Sequence, residues 1–230
     1  SETTLRLRRA TANFVENVYA DLNIQVGPDK TTEAAITAGV PEEGLENNPA
    51  NVLGTATVTV QDMARAYATF AAEGMRTTPY LITSVTSSIE GSDISFTAEP
   101  VAERAFDADQ VSDLVDAMTT VTEFGSGEYA GANLGRPSAG KTGTSESFRS
   151  AWFNGFVPQL ETAVGMFMDQ DGTPVEMTGI PGWERGITGG SIPVRIWTDY
   201  MAQALDGTEI IEFPEPAHTG KNNVPTQRPE

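Results

Sequence analysis

The 230 residues suffice for one fair-sized domain or two small ones with a substantial core, and they carry 14 Lys plus Arg against 32 Asp plus Glu, a net charge of −18. So acidic a surface repels phosphate backbones and anionic lipid, which argues against nucleic-acid partners. The lack of cysteine and the single histidine, His218, exclude disulfides, thiolate nucleophiles, a Ser-His-Asp relay and the common zinc sites, so no metal or cofactor is expected.

Along the chain, residues 5–25 place Val15, Val18 and Leu22 on one face and predict a single helix, stopped by Gly27-Pro28. A short helix over 31–38 ends at Gly39, and residues 41–51 read as loop. Thr59 is placed to cap a helix whose apolar positions Val60, Met63, Ala64, Tyr67, Phe70 and Ala71 recur at helical spacing up to Gly74. Residues 80–89 and 93–97, on either side of Glu90-Gly91-Ser92, predict a hairpin. Asp107 or Asp109 caps the next helix, through Val121, with Val111, Leu114, Val115 and Met118 inward.

Six glycines from Phe124 through Gly143, the last included, predict a loop. Two strands come next, 151–157 and 162–168, with residues 158–161 as the connector of an antiparallel hairpin. A last helix over 192–205 has Pro193 in its permissive first turn and Gly207 beyond its end. From Phe213 onward, four prolines and few apolar groups predict a disordered tail over 213–230, leaving 1–212 as one folded unit. The order of elements is that of an α+β protein, an antiparallel sheet flanked by helices. No stretch approaches the roughly 18 apolar residues of a membrane span, and the first residues lack an apolar signal core.

The segment Gly135-Arg136-Pro137-Ser138-Ala139-Gly140-Lys141-Thr142-Gly143-Thr144-Ser145 fits two unrelated patterns. Residues 135–142 match G-x-x-x-x-G-K-T, the loop that cradles a nucleotide's phosphates. That loop must leave a buried apolar strand and enter a helix, yet residues 128–134 are no such strand and residues 143–147 read Gly-Thr-Ser-Glu-Ser, a poor helix start. A P-loop NTPase is therefore the remote alternative.

The other pattern is Lys-Thr-Gly followed by Thr, and here the chain resembles the transpeptidase domain of penicillin-binding proteins, specifically the bifunctional class A type of Gram-positive and actinobacterial kind. The resemblance extends to residues 58–71, to Ala151-Trp152-Phe153-Asn154-Gly155-Phe156-Val157-Pro158, and to Gly186-Ile187-Thr188-Gly189-Gly190-Ser191-Ile192-Pro193. Four segments in family order span roughly residues 5–205. The resemblance implies a serine acyl transfer that crosslinks stem peptides ending in D-Ala-D-Ala, with β-lactams as mimics of the donor. It also implies an extracytoplasmic setting, at the outer face of the cytoplasmic membrane.

Physical chemistry supports the strand's role. Gly143 lets a peptide or β-lactam lie flat along the backbone. Lys141, one of three lysines, supplies an ammonium for a substrate carboxylate, with the Thr142 and Thr144 hydroxyls, and Ser145 beside them, completing the clamp. By resemblance, the Thr144 backbone N–H is an oxyanion-hole donor.

Two family elements are missing or altered. The nucleophile stands in Ser-x-x-Lys; the one formal match, Ser138 to Lys141, uses the lysine of the strand motif, and three residues on an extended segment do not share a helical face. The nucleophile is therefore expected upstream of Ser1, in a missing N-terminal part of the same domain. The Ser-x-Asn element, aligned on Val18-Tyr19-Ala20, falls on Phe14-Val15-Glu16. Glu16 either accepts a proton or pairs with Lys141, or it is a solvated helix glutamate with Phe14 packed inward. A one-turn shift finds Thr11-Ala12-Asn13 in the wrong register. These changes leave a non-catalytic cell-wall peptide-binding or scaffolding module as the alternative.

Overall fold

The computed structural model describes residues 7–89 and 91–220. The helix expected over 5–25 is two helices, α1 (Leu7–Ala12) and α2 (Glu16–Val26), and its first two residues lie outside the described part. The chain breaks at Phe14, whose φ of 55° no helix accommodates. Apolar spacing runs on through the break because both helices pack inward, so periodicity alone does not register it. Thr11 and Tyr19 join their hydroxyls across the gap.

Gly27, at φ 105°, turns the chain into α3 (Pro28–Ala38). The Pro28 that ends one pattern thus opens the next helix, earlier than residue 31, from the first-turn position where its missing N–H costs nothing. A loop with a 3-10 turn at Asn51–Leu53 leads to α4 (Val60–Ala71). Thr59 and Asp62 cap α4 reciprocally, each side chain accepting from the other's backbone N–H at 3.1 Å. Its Val60 stays at the surface.

Four three-residue strands come next: β1 (Met75–Thr77), β2 (Ser84–Thr86), β3 (Ser95–Thr97) and β4 (Ala102–Arg104). β2 and β3 form the expected hairpin, while β1 pairs with β4 around it, unforeseen. Asp107 caps α5 (Ala108–Glu123), accepting from the Asp109 N–H at 3.0 Å; Val111, Val115 and Met118 are buried, but Leu114 is exposed, contrary to expectation. The glycine-rich stretch contains a short helix, α6 (Glu128–Asn133), where a loop was expected.

The main sheet is β5 (Ala139–Thr144), β6 (Ser150–Val157), β7 (Leu160–Gln170) and β8 (Thr173–Val175), antiparallel throughout and in that order. Pro158 and Gln159 alone connect β6 to β7. β6 alternates between the two faces. Phe156 meets α5 and α4 with Val111, Val115, Met118, Tyr67 and Phe70. Phe153 and Val157 meet α7 (Ile192–Ala204) with Val194, Trp197 and Met201. Phe153 and Trp197 are fully buried and stand edge to face at 5.1 Å, each contributing about 2–3 kcal/mol of burial. The Trp197 indole N–H donates to the Gly155 carbonyl at 3.0 Å.

Residues 213–220 do not hang free as expected. The Phe213 ring packs edge-on against Phe156 at 5.7 Å. The Ala217 N–H donates to Ser112, and the His218 and Thr219 N–H groups donate to Asp113 at 2.6 and 2.7 Å. The rest of the expected tail, 221–230, lies outside the described residues. Among the described residues no helix is long and apolar enough to cross a membrane.

Candidate active site

β5 is an edge strand. Its register opposes Lys141 to Asn154, Gly143 to Trp152 and Thr144 to Ala151. The Ser145 N–H donates to the Ser150 carbonyl at 3.0 Å, so by antiparallel alternation Lys141 and Gly143 face β6, while Thr142 and Thr144 turn N–H and C=O to the open edge. Neither of those outward N–H groups has a backbone partner among the described residues. A free row of alternating donors and acceptors is what an extended peptide needs in order to add to a sheet.

Strand alternation sends Lys141 to the α4/α5 face and the Thr142 and Thr144 side chains to the α7 face. They converge only over the edge, which the Lys141 Nζ reaches: it donates to the outward Thr142 carbonyl at 3.1 Å. The same ammonium lies 3.7 Å from the centroid of the Phe14 ring. Burial pushes it down to about 7, against the support of the Glu16 carboxylate. Of the residues aligned with the Ser-x-Asn element, Phe14 therefore meets Lys141 directly, whereas Glu16 is exposed and acts on it only through its charge. Thr11 is buried on α1, and the Asn13 amide donates to the Arg9 carbonyl.

Thr142 is buried, with its hydroxyl 2.6 Å from that of Ser126 in the Gly-Ser-Gly turn after α5. Thr144 accepts from the Gly189 N–H at 3.1 Å. Ser145 sits at the turn after β5, its oxygen accepting from the Ser150 N–H at 2.8 Å. Ser138 is buried and even-numbered on the strand path, so it points away from Lys141, and its hydroxyl has no hydrogen-bond partner. The backbone from Gly140 to Thr142 is extended sheet rather than a loop opening a helix, and a phosphate cradle is not formed.

Gly143 makes room for Trp152: a Cβ there would stand 3.2 Å from the tryptophan Cβ. On the partner strand, a Cβ at Gly165 would come within 2.8 Å of the indole. A Cβ at Gly189 would collide with the Trp152 carbonyl oxygen. Sequence reasoning passed over Ser126, and it met Gly189 and Asn154 only inside family-like segments, without a role for either. The only local hints were a hydroxyl between two glycines and a polar residue inside an apolar strand.

A cavity of about 840 Å³ opens beside this edge between α5, α6 and the start of α7, reaching Ser126, Ser138 and Gly190. Arg195, in its wall, stacks on Tyr129 at 4.1 Å. Among the described residues no group of three or more acidic or histidine side chains is placed to hold a metal.

Residues 6–179 match the family model for the penicillin binding protein transpeptidase domain. The chain is 33% identical over 217 residues to penicillin-binding protein 1A of Mycolicibacterium smegmatis, covering 86% of this chain and 27% of that protein. Against penicillin-binding protein 1A of Mycobacterium tuberculosis the figures are 32% over 239 residues, 91% and 28%. The chain thus spans about a quarter of the length of these curated relatives. The structure superposes on the penicillin-binding protein PonA1 of Mycobacterium tuberculosis with a TM-score of 0.79 and 28% identity, over 91% of this chain and 59% of that one. PonA1 in complex with penicillin V gives a TM-score of 0.76 at 26% identity, over 94% and 60%.

Proposed function

Because the chain belongs to the penicillin-binding-protein transpeptidase family, we propose that it is the Lys-Thr-Gly-bearing part of a peptidoglycan D,D-transpeptidase, its nucleophilic Ser-x-x-Lys lying outside these 230 residues. The observation that carries this reading is the open β5 edge, where the outward N–H and C=O groups of Thr142 and Thr144 flank an ammonium held at the strand's rim. A stem peptide ending in D-Ala-D-Ala adds along that edge, with its terminal carboxylate between Lys141 and the threonine hydroxyls. The serine oxygen bonds to the penultimate carbonyl carbon, and the Thr144 N–H stabilises the resulting oxyanion. Terminal D-Ala departs with the serine's proton, and an acceptor amine then displaces the serine to form the crosslink. β-Lactams take the donor's place, and the enzyme works at the outer face of the cytoplasmic membrane.

One observation favours a second reading, a peptide-binding module without catalysis: an aromatic ring rather than a hydroxyl meets Lys141 from the position aligned with Ser-x-Asn. Fluorescent penicillin applied to the full gene product separates the two. A covalent adduct on a serine outside residues 1–230, lost in Lys141→Ala, supports the enzyme; no adduct on folded protein supports the module. The 230-residue chain alone should show no adduct by intact mass, and a stable one would overturn the placement of the nucleophile.

A further inference from the structure

Asn154 stands directly across the β5–β6 ladder from Lys141. Facing residues of an antiparallel pair share one side of the sheet, with Cβ atoms about 4.5–5.5 Å apart. Asn154 is 4% exposed as a residue, and its amide oxygen has no hydrogen-bond partner. Most buried polar atoms are satisfied, so an orphan acceptor calls for a reason. The Lys141 ammonium has three protons to donate and spends one, on the Thr142 carbonyl. An acceptor without a donor thus stands on the residue opposite a lysine whose ammonium has protons to spare.

We infer that Asn154 is a positioning residue for Lys141: its amide oxygen supplies the dipole that keeps the ammonium charged and aimed at the strand edge. The inference rests on the reading of Lys141 as the carboxylate-holding lysine, and adds to it the group that stabilises its charge inside an otherwise apolar face.

The titratable neighbours are few. Glu16 on α2 favours the charged lysine. Tyr67 on α4 has its phenol raised by burial and by the Glu161 charge, and a hydrogen bond from the Asn154 side chain partly opposes this. The amide's nitrogen end is therefore turned to Tyr67, and its oxygen is the end left over. Glu161 on β7, one sheet row away, is pushed up to about 8 by burial and is thus largely uncharged at neutral pH. The remaining charges on the packed helices are engaged elsewhere or exposed: Asp116 pairs with Arg8, Asp113 holds residues 218–219, Arg65 lies against Gly39, and Asp109 and Glu123 face outward. Beside the Thr142 carbonyl and the Phe14 ring, which touch the ammonium, Asn154 is the uncharged polar side chain that the ladder sets opposite Lys141.

The chain contains three lysines, so titration of the lysine ε-carbon signals by NMR, with Lys141→Arg to assign the resonance, reads this site in the 230-residue chain. Asn154→Ser is expected to lower the Lys141 midpoint by about half a pH unit or more, and Asn154→Asp, nearly the same shape, to raise it by about one unit. Shifts in opposite directions are the signature, since a purely structural asparagine would alter melting temperature without moving the midpoint in a charge-dependent sense. Unchanged midpoints, shifts of the same sign, or a chain that fails to fold with Asp beside the ammonium would each overturn the inference. The titration uses no penicillin and no nucleophile. Its failure therefore leaves the acylation test standing, and failed acylation leaves the titration standing.

Discussion

The Lys141 ammonium lies 3.7 Å from the centre of the Phe14 ring, and Phe14 holds that position with φ at 55°, in the break between α1 and α2. A cation over a desolvated ring is stabilised by about 1 kcal/mol. Phe14→Leu, which keeps the site apolar while removing the π-face, is expected to lower the Lys141 midpoint by about half a unit. The ε-carbon titration measures it, and no change would assign the contact to packing alone.

Lys141 itself is a burden on the fold at neutral pH. Its folded value of about 7 lies below the ordinary 10.5, so the unfolded chain holds the proton more tightly. The penalty is complete below about 7 and vanishes as pH rises to 10.5. Lys141→Met is therefore expected to stabilise the chain by about 1–3 kcal/mol at pH 7, with the gain fading toward pH 10.5, while abolishing penicillin acylation in the full gene product. Urea melts at several pH values check the first part; equal loss of stability and labelling would mark Lys141 as structural.

Glu161 gives the opposite slope. Burial raises it from 4.5 to about 8, so its cost is absent below 4.5, grows as pH rises, and is complete above 8. One of its oxygens is buried without a partner. Glu161→Gln should match wild type near pH 4.5 and exceed it by about 1–3 kcal/mol at pH 8, as read from melting temperature against pH. A pH-independent difference would contradict the assignment.

Residues 213–219 form a strap over α5, anchored by Phe213 on Phe156 and by the Asp113 carboxylate. Phe213→Ala is expected to cost about 1–3 kcal/mol. The hydrogen bond from the Thr219 hydroxyl and those from the two N–H groups hold the Asp113 carboxyl below its ordinary 3.8. Its grip is thus intact above that value and lost as pH falls through the lowered one. Asp113→Ala should speed hydrogen exchange at the His218 and Thr219 amides at neutral pH, where wild type protects them.

Features whose cause is local were legible in the sequence. Thr59 before a helically spaced apolar run declares the start of α4, and residues 158–161 between two apolar runs declare the β6–β7 hairpin, although Pro158 and Gln159 alone form its turn. Lys141, Thr142 and Thr144 stand out because they are contiguous. The break at Phe14 was hidden because Val15, Val18 and Leu22 keep helical spacing and no Gly or Pro interrupts them. β1 and β4 escaped because three exposed residues carry no alternation. The strap was invisible for another reason: its partners are distant in sequence, Asp113 lying 105 positions from His218. The supports of β5 were hidden in the same way, Ser126 lying 16 positions from Thr142 and Gly189 lying 45 from Thr144.

Trp152 touches three glycines drawn from three different parts of the chain, Gly143, Gly165 and Gly189. One rigid indole and its own backbone thus set the clearance at all of them. Only at Gly165 is the obstacle the indole itself; at Gly143 it is first the Cβ of residue 152, and at Gly189 it is backbone, which a smaller side chain would leave in place. Shortening the side chain at 152 would therefore open space beside Gly165 on β7, while the edge strand and the approach of Gly189 to it keep their glycines on grounds of Cβ and backbone alone.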